Sequence, residues 1–143
     1  MSLMKIRKFQ DTDANELVRI LVSNGQYSRP SVEGPDAMRR VARCEAAVFL
    51  VAEENGKPVG LIRAVYDGSR AMIHLLSVDP KFHGLGIGTK LVDAAINKLV
   101  KMGASSVSVT ATEKSAGFWR KKGFKKLPVF LMLNTLEETL LGS

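Results

Sequence analysis

The stretch LLSVDPKFHGLGIGTKLVDAAINKLVKMG, residues 75–103, decides the fold. An apolar segment is followed by Asp79-Pro80, by three alternating glycines, and then by apolar residues at helical spacing. Glycine permits positive φ and lets a ligand approach the main chain closely. The first N–H groups of a helix are unpaired and carry a partial positive charge. The stretch therefore predicts a strand, a tight turn and a helix that binds a phosphate or pyrophosphate. The alternative is a strand-to-helix turn without a ligand.

Two common phosphate-binding motifs do not fit these glycines. A Walker A loop requires a lysine directly after its last glycine, but Thr89 separates Gly88 from Lys90. A dinucleotide fingerprint that began at Gly84 would require another glycine at position 89. A phosphate site at these glycines would therefore be of another kind.

The segment from Val78 to Gly88 resembles motif A of the Gcn5-related N-acetyltransferase (GNAT) family, Gln/Arg-x-x-Gly-x-Gly/Ala. Its glycines correspond to Gly86 and Gly88, whereas His83 replaces the usual glutamine or arginine. The resemblance implies that main-chain N–H groups bind the pyrophosphate of acetyl-coenzyme A and that the preceding strand pairs with the pantetheine arm. The cofactor-binding residues that it implies are Leu76, Ser77, Val78, His83, Gly84, Leu85, Gly86, Ile87, Gly88, Thr89, Phe118 and Trp119.

Residues 117–124, GFWRKKGF, resemble the family segment that closes the cofactor groove. Many relatives have a tyrosine, which protonates the departing thiolate, at the position of Trp119. An indole N–H only donates a hydrogen bond and does not release its proton. The thiolate must then leave unassisted by this residue, or another group must help. The departure keeps open a second hypothesis, a non-catalytic acyl-coenzyme A sensor or partner module of the same fold.

His74 is the candidate general base. Strand alternation predicts that His74, Leu76 and Val78 share one face. The arylalkylamine branch of the family has a histidine at the matching place, linked to proton removal through water. A histidine with an ordinary pKa of about 6.5 suits this task. The alternative is a histidine that is hydrogen-bonded to a neighbour in the core or groove.

The acceptor pocket of such folds is shaped by two segments, which correspond here to residues 23–36 and 127–135. Tyr27 and Arg29 are the candidate substrate-binding residues, and Arg29 would suit an acceptor that carries a carboxylate. The expected function is therefore an acetyl-coenzyme A-dependent N-acetyltransferase that acts on a primary amine of a small molecule or protein.

The rest of the pattern predicts a mixed α+β fold, a single domain over residues 1–143, with residues 1–3 a cloning remnant. Asn55-Gly56 and Asp67-Gly68 indicate hairpin turns, and Asp13 and Glu16 have capping-box spacing. The predicted order is a strand, two helices, three strands, a helix, a strand, a helix and two strands, with helices on both faces of a seven-stranded sheet. The last two strands are expected at residues 124–126 and 129–133.

Composition and net charge limit the classes of ligand and partner that this chain is expected to bind. The 143 residues carry a net charge of +7, which suits coenzyme A phosphates or nucleic acid. An aromatic content of 6% and the lack of a base-stacking motif argue against nucleic acid. One cysteine and two histidines predict neither an internal disulfide nor a metal site. No apolar run of about 18 residues or signal pattern is present, so we expect a cytoplasmic protein without a membrane partner. A homodimer is left open.

Overall fold

The computed structural model describes residues 4–126. The chain divides into two compact units, one that ends at Thr110 and one that begins at Ala111. The organisation of residues 1–143 as one domain stays a prediction.

The first unit contains a mixed five-stranded sheet with the strand order β1-β2-β3-β4-β5. The strands are β1 Met4–Lys8, β2 Ala47–Glu54, β3 Lys57–Tyr66, β4 Ala71–Val78 and β5 Val107–Val109. Neighbouring strands from β1 to β4 are antiparallel, whereas β4 and β5 are parallel. Parallel neighbours need a crossover, and a helix between β4 and β5 supplies it.

Helices cover both faces of this sheet, as the continuous apolar character of β2 and β3 predicts. The helices of the first unit are α1 Ala14–Ser23, α2 Pro30–Glu33, α3 Pro35–Ala42 and α4 Ile87–Met102. On one face, Phe49 and Leu61 form a core cluster with Leu17 of α1 and Met38 of α3. On the other face, Leu91 of α4 packs so closely over Gly60 that a Cβ there would lie 3.2 Å from the leucine side chain.

The two predicted hairpins are present, but only one has a two-residue turn. Asn55 and Gly56 both have positive φ, 50° and 85°, as such a turn requires. The β3–β4 connection is a four-residue loop, residues 67–70. The side chain of Asp67 accepts hydrogen bonds from the main-chain N–H groups of Ser69 and Arg70 in that loop.

The prediction of seven strands is wrong for the described residues, which contain five. Residues 124–126 form no strand; they follow helix α5, Ala116–Lys121, of the second unit. Phe124 N donates to Trp119 O (3.0 Å) and Gly123 N to Arg120 O (2.9 Å), with Gly123 at φ 98°. This is a Schellman cap, in which an apolar residue after the glycine packs back onto the helix. The apolar Phe124 is therefore a cap residue, and residues 129–133 lie outside the described part.

The predicted order of elements, which has two helices between the first two strands, misses the short helix α2 between α1 and α3. Pro30 occupies the first position of α2, where its fixed φ and missing N–H cost nothing. The buried carboxylate of Glu33 accepts hydrogen bonds from the main-chain N–H groups of Ser28 and Arg29. These bonds fold the segment back into a single helical turn.

Candidate functional site

A β-bulge at His74 divides β4 into two parts. Arg63 of β3 pairs with Leu75, while the next residue, Ala64, pairs with Ile73. His74 is thus the extra residue that has no partner in the ladder. The bulge interrupts the strict alternation from which a shared face for His74, Leu76 and Val78 was predicted, and that prediction is wrong.

Beyond the bulge, the outer edge of β4 is open. The pairing of β5 with β4 covers only residues 71–73, and no other strand within residues 4–126 pairs with residues 75–78 on that side. Asp79 N donates to Val59 O of β3 (2.8 Å). Because main-chain groups alternate along an antiparallel strand, those of Leu76 and Val78 point towards the open edge.

Three side chains bind the carbonyl oxygens of this edge. Gln26 Nε2 donates to Leu76 O (3.1 Å), and Asn24 Nδ2 donates to Val78 O (2.8 Å). His83 Nε2 lies 2.7 Å from the same Val78 oxygen, which can only accept a hydrogen bond. The carbonyls are therefore already occupied, and the free donors of the edge are the main-chain N–H groups.

The open edge leads into the glycine turn. Gly84 and Gly86 have φ values of 80° and 81°, and Gly86 is the N-cap residue of α4. The first helical bond runs from Lys90 N to Gly86 O, so the N–H groups of residues 87–89 have no acceptor within the helix. A Cβ built on Gly84 or Gly86 meets no atom within 4 Å. The turn therefore presents bare main chain and unpaired donors to open space, which fits a pyrophosphate group.

Gly88 contributes one of these unpaired N–H groups, whereas the side chain of Ser77 has another role. Gly88 lies in the first turn of α4. Ser77 is buried, and its hydroxyl accepts a hydrogen bond from Asn24 Nδ2 (2.7 Å). Leu85, by contrast, is 66% exposed beside the glycine turn.

Asp79 anchors the start of the turn. It is 4% exposed, and its carboxylate accepts from Arg19 Nη2 (2.7 Å) and from the main-chain N–H of Lys81 (3.1 Å). Burial would raise the pKa of Asp79, but these two hydrogen bonds outweigh it and hold the pKa below its usual range. The ion pair with Arg19 ties the turn to α1, which lies 60 residues earlier in the chain.

His74 retains solvent contact, yet the atoms around its ring partly desolvate it. This desolvation, together with the positive charge of Arg63, lowers the pKa of His74. A lowered pKa keeps the imidazole neutral and able to accept a proton at neutral pH.

Tyr27 and Arg29, the candidate substrate-binding residues, have structural partners. Tyr27 is half-buried and packs against the core cluster beneath α1 and α3. Arg29 Nε lies 3.8 Å from the buried carboxylate of Glu33. Neither partner excludes contact with a substrate, and the role of both residues stays a prediction.

In the second unit, Trp119 is buried between two phenylalanines. Its ring makes edge-to-face contacts with Phe118 (centroids 5.0 Å apart) and Phe124 (5.2 Å). These contacts are typical of a packing residue.

A groove of about 510 Å³ lies at the opposite end of the sheet, where β2 begins and α4 ends. Its lining includes Phe9, Cys44, Lys98 and Lys101. Lys98, the first residue of α4 that lines the groove, follows Ile87 at the glycine turn by eleven residues, a rise of about 16 Å at 1.5 Å per residue. The groove is therefore distinct from the candidate site.

Sequence reasoning missed Asn24, Gln26, Arg19 and Arg63 at the site. Each binds residues of another element, so no local pattern indicates these contacts. Of the residues that anchor the turn, Asp79 could have been found from the sequence, because an aspartate before a proline is typical of a helix N-cap.

Residues 4–126 lack two kinds of feature. No helix there combines the length and the apolar character needed to cross a bilayer. The same residues contain no group of three or more His, Cys, Asp or Glu side chains arranged to hold a metal ion.

Comparisons with known proteins agree with this architecture. Residues 25–129 match the family profile described as an acetyltransferase (GNAT) domain. A transcriptional regulator from Bacillus halodurans C-125 superposes with a TM-score of 0.78 at 23% identity, over 93% of this chain and 100% of that chain. For Ard1 from Thermoplasma volcanium the TM-score is 0.75 at 25% identity, over 87% and 84% of the two chains. For the PaiA N-acetyltransferase from Thermoplasma acidophilum, solved in complex with coenzyme A, it is 0.74 at 20% identity, over 86% and 90%.

Proposed function

The chain belongs to the acetyltransferase (GNAT) family, and we propose that it transfers the acetyl group of acetyl-coenzyme A directly to a primary amine of a small molecule or protein. One observation carries this proposal: the open edge of β4 runs into a glycine turn at the N-terminus of α4. The coenzyme A bound to the PaiA relative supports a coenzyme A thioester as the donor.

The glycine turn has the features of a pyrophosphate site. The unpaired N–H groups of residues 87–89 point out of the start of α4, where the helix dipole favours an anion. The space above Gly84 and Gly86 is free of protein atoms. His83 is exposed beside the turn, and its ring bonds to Val78 O, so it braces the turn against the end of β4. Thr89 is exposed in the first turn of α4 and completes the proposed set.

The open edge of β4 suits the pantetheine arm and the thioester. The main-chain N–H groups of Leu76 and Val78 are available as donors, because Gln26, Asn24 and His83 already bind the neighbouring carbonyls. Acetyl-coenzyme A supplies a thioester, whose carbon–sulfur bond breaks as the amine nitrogen bonds to the acetyl carbon. Rigid N–H donors at this edge stabilise the negative charge that develops on the carbonyl oxygen.

His74 is the proposed base. An ammonium group has no lone pair, so a proton must leave the acceptor before or during attack. His74 lies at the point where β5 leaves β4, immediately before the open edge. Its lowered pKa keeps the imidazole in the accepting form at neutral pH. Because the ring retains solvent contact, transfer through an intervening water is compatible with its position.

Trp119 is not the proposed acid. The coenzyme A thiol has a pKa near that of cysteine, about 8.5, so its thiolate leaves without full protonation. Trp119 instead contributes packing in the second unit.

Two measurements test the proposal. Calorimetric titration with acetyl-coenzyme A tests donor binding, and release of free thiol over a panel of primary amines tests transfer. Binding with amine-dependent thiol release supports the enzyme. Binding without release from any amine would favour the non-catalytic acyl-coenzyme A module. Failure to bind acetyl-coenzyme A would overturn both hypotheses.

A further inference from the structure

Arg63 differs from four other arginines of the described residues in having no carboxylate at ion-pair distance. Arg7, Arg19, Arg29 and Arg39 each lie within ion-pair distance of a carboxylate. Arg63 is half-buried, and within residues 4–126 it makes no such pair. The structure thus partly shields a guanidinium from water without an adjacent counter-ion.

The contacts of Arg63 orient it without neutralising it. Its Nη1 donates to the main-chain oxygen of Val32 (3.1 Å), a neutral acceptor. Its guanidinium carbon lies 5.7 Å from the centre of the Phe49 ring, in cation–π geometry. Glu33 acts on it only at longer range, and the carboxylate of Glu33 already binds two main-chain N–H groups and faces Arg29.

Partial burial without an adjacent counter-ion disfavours the charged form of Arg63. Desolvation lowers the pKa of Arg63, and the charge of Glu33 offsets this only in part. A guanidinium has five N–H donors, so several are left for another acceptor after the bond to Val32. A charge held at such a cost is frequently functional.

Arg63 also lies next to the proposed chemistry. It pairs across the sheet with Leu75, the residue after the bulge, and its charge is felt by His74. Its bond to Val32 places it against α2, within the segment 23–36 that was predicted to shape the acceptor pocket. The positive charge of Arg63 thus lies near both the proposed base and the proposed acceptor pocket.

We infer that Arg63 binds an anionic group, a carboxylate or a phosphate, carried by the amine acceptor, and that it selects acceptors of this class. That the anion is carried by an amine acceptor rests on the proposed function, whereas anion binding by Arg63 does not depend on turnover. A planar guanidinium with free donors matches either oxyanion in a bidentate manner. We prefer Arg63 to Arg29 for this task, because Arg29 faces the carboxylate of Glu33.

The test uses binding, so that it does not require activity. The full chain is saturated with coenzyme A and titrated calorimetrically with two matched pairs of amines: β-alanine against propylamine, and O-phosphoethanolamine against ethanolamine. We expect the wild type to bind the anionic member of one pair at least about tenfold more tightly, the order of one charge-assisted hydrogen bond. The pair that shows the preference identifies the anion as carboxylate or phosphate.

Three variants separate the arginines. Arg63→Met keeps an apolar stem over Phe49 and removes the charge, and it should reduce the preference to less than about twofold. Arg39→Met is the matched control, because Arg39 pairs with the exposed Asp36. This variant should keep the preference for the anionic amine. If Arg29→Met removes the preference and Arg63→Met does not, Arg29 binds the anion and the inference is wrong. Equal binding of charged and neutral members by the wild type would also overturn it.

A spectroscopic measurement checks the site in the folded protein. The chain has two histidines, so the ring signals of His74 and His83 can be told apart with a His83→Ala variant. Because the charge of Arg63 lowers the pKa of His74, Arg63→Met should raise that pKa, and so should an anion bound to Arg63 in the wild type. If no amine is ever acetylated but the anion preference persists, the proposed function fails and the anion site stands.

Discussion

Replacement of Gly86 by alanine separates the cost of backbone strain from the loss of ligand binding. Gly86 has φ 81°, and an added Cβ would meet no protein atom within 4 Å. The free protein therefore pays only the conformational cost of a left-handed alanine, about 1–2 kcal/mol. With an unfolding entropy of about 2.1 cal/mol/K per residue, this lowers the Tm of a chain of this length by about 3–7 °C.

The effect on acetyl-coenzyme A should be larger than that on stability. A methyl group at Gly86 would stand between the main chain and the pyrophosphate, and would displace one charge-assisted hydrogen bond worth about 1.5–3 kcal/mol. At about 1.4 kcal/mol per factor of ten, the Kd rises by about 10- to 100-fold. Calorimetric titration measures the Kd, and thermal unfolding of the same sample measures the Tm.

Gly56→Ala is the matched control. Gly56 has φ 85° and equally open surroundings, but it lies in the β2–β3 turn, which β3 separates from β4. This variant should lose the same stability and keep the wild-type Kd. If the two variants are destabilised alike and both bind acetyl-coenzyme A as tightly as the wild type, the pyrophosphate does not approach Gly86 and the proposed cradle is wrong.

Three other predictions concern the base, the tryptophan and a buried ion pair. His74→Ala should lower kcat by about 10²–10⁴ with donor affinity unchanged. In the wild type, kcat/KM should rise with pH with a midpoint below the ordinary histidine value of about 6.5, because desolvation and the charge of Arg63 lower the pKa of this base. A flat profile for the wild type over that range would argue against His74. Trp119→Phe should keep turnover within about tenfold, since indole is not an acid at these pH values; a thousandfold loss with donor binding intact would contradict this. Arg7→Met should cost about 3–5 kcal/mol in urea unfolding, because it leaves the carboxylate of Asp13, 4% exposed, without its bidentate partner at 2.8 and 2.9 Å. Arg39→Met, which breaks an exposed pair, should cost less than about 1 kcal/mol, and equal losses for the two arginines would refute the reasoning.

Local signals in the sequence were sufficient for the strand, turn and helix of residues 75–103. Gly86 was assigned a special conformation, and it has one, with the helix beginning at the next residue. The Asn55-Gly56 turn was equally predictable. In both places the decisive interactions lie within a few residues, so composition and spacing determine the structure.

Where a residue could form either of two contacts, the sequence predicted one of them and the structure shows the other. Asp13 has the spacing of a helix cap with Glu16, yet its carboxylate binds Arg7 of β1 and makes no cap bond to α1. Phe124 was assigned to a strand, but its ring packs on Trp119 and its N–H closes the cap of α5. Apolar or acidic character alone does not distinguish these outcomes.

The sequence by itself thus determined the glycine turn before α4, the hairpins and the helices on both faces of the sheet. Only the tertiary structure decided where β4 opens, because the bulge at His74 results from the register between β3 and β4. The same holds for the partners of that edge. Asn24 and Gln26 reach it from 54 and 50 residues away along the chain, and Arg63 has no carboxylate partner among the described residues. Such contacts depend on how separate elements pack against one another, and a sequence pattern describes only the element that carries it.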